Sequence, residues 1–187
     1  VNTADDGGTN CDTGQPCSLR DALFSAGSGD TIDFAIGTGH KTITIASVLE
    51  SSVSVTVDGT TQPGWAIGKP VIEINCGGSS IDALHLLGTL SRVKGLIVNG
   101  GCSVGVTVGT GSTIEGNFIG TDVTGTLPGS LSTGISVGGN TQIGGTTAAT
   151  RNLIAGTFYA LDVSGDGNRV QGITSGPTRP GPAASIW

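Results

Sequence analysis

From Asp30 onward, apolar and polar residues alternate in short runs, beginning TIDF, KTITI, VSVTV and VIEI and ending ALDV and NRVQGI. Each run holds only two to four apolar positions, and Gly, Asn, Ser or Asp separates most of them. Alternation with period two predicts half-buried strands. One segment departs from it. In SLRDALFSAG, residues 18–27, Leu19, Ala22, Leu23 and Ala26 recur at helical spacing. Ser18 is placed to cap that helix, with Asp21 three residues on as a capping-box variant, and Gly27 is the stop signal.

The runs repeat. ALHLLG from 83, GVTVG from 105, GISVG from 134 and ALDVSG from 160 occupy equivalent places. Each is followed by a polar turn and a second apolar position: Val93, Ile114, Ile143 and Val170. A third run follows each, containing Val98, Ile119, Ile154 and Ile173. The first-run positions Leu84, Val106, Ile135 and Leu161 lie 22 to 29 residues apart. Three short strands in that period describe a solenoid, whose single turns cannot bury their apolar faces alone. A leucine-rich repeat shares the period, but its L-x-x-L-x-L-x-x-N consensus is absent.

The expected fold is therefore all-β, a right-handed single-stranded parallel β-helix of about five to six coils with three short strands each. A short N-terminal helix caps it. The expected organisation is a cap over 1–29, the β-helix over 30–176 and a Pro-rich tail over 177–187. Pro177, Pro180 and Pro182 cannot donate ladder hydrogen bonds and are expected to end the solenoid. The tail fits four roles: a local cap, a truncation or tag remnant, a linker, or a segment docking on a neighbour through Ile186 and Trp187.

Stacking makes further expectations specific. Residues between inward apolar positions point outward. His85, Thr107, Ser136 and Asp162 should then form one outward ladder, and Lys94 should pair with Glu115 on another face. The outer faces should carry mostly small hydroxyls and amides. Cys76 and Cys102 are one coil apart, close enough for a coil-to-coil disulfide. Cys11 and Cys17 bracket a short loop that a disulfide would staple. Free thiols are the alternative for each pair.

Composition narrows the function. The chain has 187 residues, 34 of them Gly, with 12% charged residues and a net charge of -6. Eight Lys plus Arg against 14 Asp plus Glu give no basic footprint, so no nucleic-acid partner is expected. No 18-residue apolar run exists, so no membrane span is expected. An even count of four cysteines with no Met favours an oxidising compartment. A chain beginning at Val1 without a leader suggests a removed signal peptide or an internal start. There is no N-x-S/T sequon.

The N-terminal stretch VNTADDGGTNCDTGQPCSLRDAL resembles a CSLREA-type motif, with Asp21 where that motif has Glu. GTTQPG at 59–64, GNFIGTD from 116 and IGGTTAATRNLIAG at 143–156 are similar to the coils that follow it in large secreted bacterial β-helix proteins. The resemblance covers about residues 1–176. It implies export and the β-helix fold, and says little of activity.

Candidate chemistry is sparse. Parallel β-helices often act on polysaccharides, and glycoside hydrolysis needs two carboxyl groups across a groove. The three Glu residues are Glu50, Glu73 and Glu115, and Asp122 and Asp166 sit in Gly-rich turns where Asp serves as an Asx-turn residue. No catalytic residue, metal site or cofactor is assigned. Asp5, Asp6, Asn10 and Asp12 could offer oxygens to Ca2+, but an acidic flexible terminus is the preferred reading. The G-x-S-x-G match at 134–138 lacks a strand-to-helix context. His85 is expected to be a solvated surface residue. Trp65 is the one candidate platform for a sugar. These features lead to an extracellular or cell-surface structural β-helix, an adhesin, matrix or fibre subunit that self-associates head to tail. The alternative is a polysaccharide-binding or polysaccharide-processing domain, whose partner would be a cell-surface glycan.

Overall fold

The computed structural model describes residues 1–7, 11 and 14–176, and the backbone alone of 185 and 186. It is a parallel β-helix. Three six-stranded sheets run along it, and every strand pairs with the equivalent strand one coil away. Sheet A begins with Asp30–Asp33 and ends with Arg169–Gln171. Sheet B runs from Lys41–Thr44 to Ile173–Ser175. Sheet C runs from Leu49–Ser51 to Ser185–Ile186. That last strand pairs with Thr157–Val163, so residues 185 and 186 of the expected tail join sheet C. Pro177, Pro180, Pro182 and Trp187 lie outside the described residues.

Apolar residues stack inward in three ladders. Ile32, Val57, Val93, Ile114 and Ile143 fill the sheet A side. Ile43, Ile74, Val98, Ile119 and Ile154 fill the sheet B side. Leu49, Leu84, Val106, Ile135 and Leu161 fill the sheet C side. Each such side chain contributes roughly 1.5–3 kcal/mol by leaving water. The strand Leu49–Ser51 carries one apolar side chain inward and a buried Ser51 beside it, so its sequence has almost no strand signature.

Corners are closed by buried polar side chains. Between sheets A and B, the Asn117 Oδ1 accepts from the Leu96 N–H at 2.9 Å, and its Nδ2 donates to the Val93 carbonyl at 3.1 Å. Asn152 repeats the arrangement one coil on, donating to the Ile114 carbonyl at 2.8 Å and accepting from the Asn117 N–H at 2.9 Å. Between sheets C and A, the Ser91 hydroxyl accepts from the Val55 N–H, and Ser112 accepts from the Ser91 N–H. The chain turns tightly before Asn117, where Gly116 has φ +68°. A Cβ there would lie 2.6 Å from the Ala149 carbonyl oxygen, so both the conformation and the space require glycine.

The N-terminal end is covered. The helix spans Leu19–Ser25, with Ser18 and Asp21 forming a capping box. It is shorter than the sequence pattern suggests because Ala26 is already extended. Leu19 and Leu23 are buried against the first coil. Val1 and Asp6, ahead of the helix, are tied to the first coil instead of hanging free. Asp6 holds Arg20 through both carboxylate oxygens at 2.9 and 3.0 Å, and Arg20 also donates to the Val48 and Ser47 carbonyls at 2.8 Å. The N–H of Ala35 donates to the Val1 carbonyl. Asn10 and Asp12, named as possible Ca2+ ligands, lie outside the described residues.

Both cysteine pairs are disulfides, Cys11–Cys17 and Cys76–Cys102. The second joins adjacent coils, with Cα atoms 5.3 Å apart.

Candidate functional site

The outward face of sheet C carries a continuous polar ladder. His85, Thr107, Ser136 and Asp162 are in register, and Glu50 extends the row by one coil. The Ser136 hydroxyl reaches Asp162 at 3.4 Å. His85 is only partly exposed, not a free surface residue. Its Nε2 lies 3.0 Å from an Asp82 carboxylate oxygen. The pair is close but misaligned, so Nε2 has no hydrogen-bond partner. Asp82 spends its other oxygen on the Val104 N–H at 3.0 Å.

Four other acids, Asp58, Glu73, Glu115 and Asp122, are engaged by their own neighbours. Lys94 does not bind Glu115, although the two are in register. It reaches back one coil to Asp58 at 2.6 Å, while Glu115 lies 3.6 Å from Arg92. The buried Glu73 sits 2.9 Å from the His40 Nε2 and accepts from Thr42 and from Asn75. Asp122 accepts the N–H groups of Thr126 and Leu127 and the Thr124 hydroxyl. Desolvation pushes its pKa up, but these bonds together outweigh that and hold it below the usual carboxylate value. Among the described residues no three His, Cys, Asp or Glu side chains gather as a metal site.

Sheet B differs from the small-polar exterior expected of it. Its outward row contains Ile97, Phe118 and Leu153 in register. Ile97 is fully buried. The loop that Asp122 organises lies across this row. A Cβ on Gly125 would be 2.7 Å from Leu153 and 3.0 Å from Phe118. The long insertion in the fourth coil is thus a cover for an apolar stripe.

Two hollows open where sheets B and C meet. One, of about 530 Å3, is lined by Ser80, Asn99, Pro128, Ser130 and four glycines. The other, of about 280 Å3, is lined by Ser80, Ser130, Ser132, Leu131, Cys102, Gly101 and the rings of Phe158 and Tyr159. They share Ser80, Gly101 and Ser130, so they form one groove. Phe158 and Tyr159 are 57% and 41% exposed, and their rings meet edge to face at 5.2 Å. Trp65 is not in this groove. It is half-buried at the A–B corner, its indole nitrogen 3.2 Å from where a Cβ on Gly95 would stand. Ile186 lies in the last strand of sheet C, in register with Leu161.

Sequence reasoning placed the sheet C ladder but missed the groove and the Asn corner. The corner had a signal: Asn precedes an apolar pair at the same place in GNFIG and RNLIAG. For the groove, adjacent Phe158 and Tyr159 in a chain with 4% aromatics were the available mark.

The chain matches no protein-family model, and no curated protein or solved structure matches it. The functional reading therefore rests on geometry.

Proposed function

We propose that this is an extracellular or cell-surface structural protein, an adhesin, matrix or fibre subunit that presents stacked polar ladders on a rigid rod and associates head to tail. The observation that carries the reading is six coils in register, closed at their corners by buried amides and hydroxyls and braced by two disulfides. Disulfides of this kind are typical of extracellular proteins. No helix among the described residues is long and apolar enough to cross a membrane.

The two ends of the rod favour unlike partners. The helix covers the N-terminal core, whereas Val170, an inward position of the last sheet A strand, is 44% exposed. The first sheet A strand carries Asp30 and Asp33, and the last carries Arg169. Head-to-tail stacking would bring those opposite charges together, with the cap as part of the joint. Electron microscopy and sedimentation over a concentration series test this. Ordered fibres, or a sedimentation coefficient that rises with concentration, are expected. A monomer at all concentrations that degrades a polysaccharide would defeat the reading. The polysaccharide-binding alternative is favoured by one observation, the aromatic-walled groove at the B–C corner.

A further inference from the structure

We infer that the groove between sheets B and C is a binding site for a neutral oligosaccharide, with Phe158 and Tyr159 as its stacking wall. This deepens the polysaccharide-binding reading by naming the site and the ligand class, and it does not depend on head-to-tail assembly.

Among the described residues no charged side chain lines either hollow, in a chain whose net charge is -6. A phosphorylated, sulfated or uronic-acid polymer would find no counter-charge on these residues. The lining instead alternates hydroxyls, an amide and bare backbone. Ser80, Ser130 and Ser132 each offer a donor and acceptors, and Asn99 offers an amide. Glycine takes the place of side chains along the floor, at Gly78, Gly100 and Gly101, all with positive φ. Bare backbone of this kind lets a ligand approach main-chain polar groups closely.

The wall supplies the apolar half of sugar recognition. A pyranose has a C–H face that lies against an aromatic ring while its hydroxyls reach flanking donors and acceptors. Phe158 and Tyr159 are large, exposed and next to each other on one strand. Tyr159 stands in register with Thr133, and its neighbour Ser132 lines the same hollow. The shape is elongated. Its lining runs from Gly78 and Asn99 through Ser130 to Phe158, crossing successive coils at about 4.8 Å each. A short linear stretch of glycan suits that geometry better than a compact metabolite. The floor is also fixed, because Cys102 lines the groove and is tied to Cys76 in the preceding coil.

Native affinity electrophoresis tests the inference, with a neutral β-glucan, a neutral galactomannan and polygalacturonate each cast into separate gels. The native protein is expected to be retarded by at least one neutral polymer and to pass polygalacturonate unhindered. Tyr159→Ala, and Phe158→Ala with it, should weaken retardation roughly tenfold, the scale of one lost aromatic contact. Ser130→Glu, which adds a carboxylate without touching the aromatic wall, should weaken it similarly. Unchanged thermal melting establishes that each variant is folded, as expected for exposed positions. Retardation by neutral polymer that survives all three changes would overturn the site while leaving glycan binding standing. Absence of retardation by either neutral polymer, or retardation by polygalacturonate alone, would overturn the inference together with the reading beneath it.

Discussion

Replacing Asn117 by Ala should be among the most damaging single changes this protein can suffer. The side chain is fully buried. Its Oδ1 is the partner of the Leu96 N–H, and its Nδ2 serves both the Val93 carbonyl and the Asn152 Oδ1. Alanine leaves two backbone groups without their partner in a fully buried corner. Each unsatisfied buried group costs about 1–3 kcal/mol, so a loss of about 4 kcal/mol is expected. The Asn152 oxygen keeps its bond from the Asn117 N–H, and only one of its two contacts disappears. The next coil should therefore be weakened less than the corner itself.

Thermal and urea unfolding followed by circular dichroism, without reductant, measure this directly. For a chain of this size each kcal/mol moves the melting midpoint by about 2–4 °C. Asn117→Ala should thus lower it by roughly 8–16 °C, with an unchanged urea slope if the native coil survives. Thr107→Ala, on the outward sheet C ladder, is the control and should stay within about 0.5 kcal/mol. A loss below about 1 kcal/mol for Asn117→Ala, indistinguishable from the control, would refute the idea that buried amides close the corners.

Three further outcomes follow from the same structure. Replacing Cys76 and Cys102 together by Ala removes a 26-residue closure, worth about 3.5 kcal/mol by chain entropy; equal urea midpoints for oxidised native protein and the double variant would contradict it. Gly116→Ala combines a left-handed backbone with a contact 2.6 Å from a carbonyl and should cost about 2 kcal/mol or more, read from the same unfolding curves. The Asp122 carboxyl is held below its ordinary value. Its stabilisation of the loop is therefore present above the unfolded pKa and is lost as pH falls through the lower folded one. Protection of the Leu127 amide against hydrogen exchange, relative to its intrinsic rate at each pH, should hold at neutral pH and be lost only in strong acid, and Asp122→Ala should remove it at every pH.

The coil repeat was legible because it is written twice, as strand alternation and as a recurring period. Where only one of those signals existed, reading failed. Leu49–Ser51 offers one inward apolar residue, and its identity as a strand comes from pairing with Leu84–Leu86. Ser185–Ile186 is hidden behind three prolines in sequence, yet joins the same sheet. Charge pairing was misjudged for a related reason. Register put Lys94 beside Glu115, but a long side chain can choose between the coil above and the coil below. Asp58 offered Lys94 the shorter contact, while Arg92 remained near Glu115.

The groove shows why a binding site is harder to read here than a fold. Its parts come from separate coils, Ser80, Asn99, Ser130 and Tyr159, and none carries a spacing that marks it. In a solenoid, position in the coil fixes whether a side chain points inward, but loop length fixes what it meets on the outside. The insertion that lays Gly125 over Phe118 also brings Pro128 and Ser130 to the groove edge. One loop thereby partly covers an apolar stripe on sheet B and builds one wall of the groove beside sheet C. Its sequence, TDVTGTLPGS, is polar and turn-rich, which hides both roles. Shortening that loop should expose Phe118 and Leu153 and open the groove together, so stability and glycan retention should fall in parallel. If either fell without the other, the two roles would not share this element.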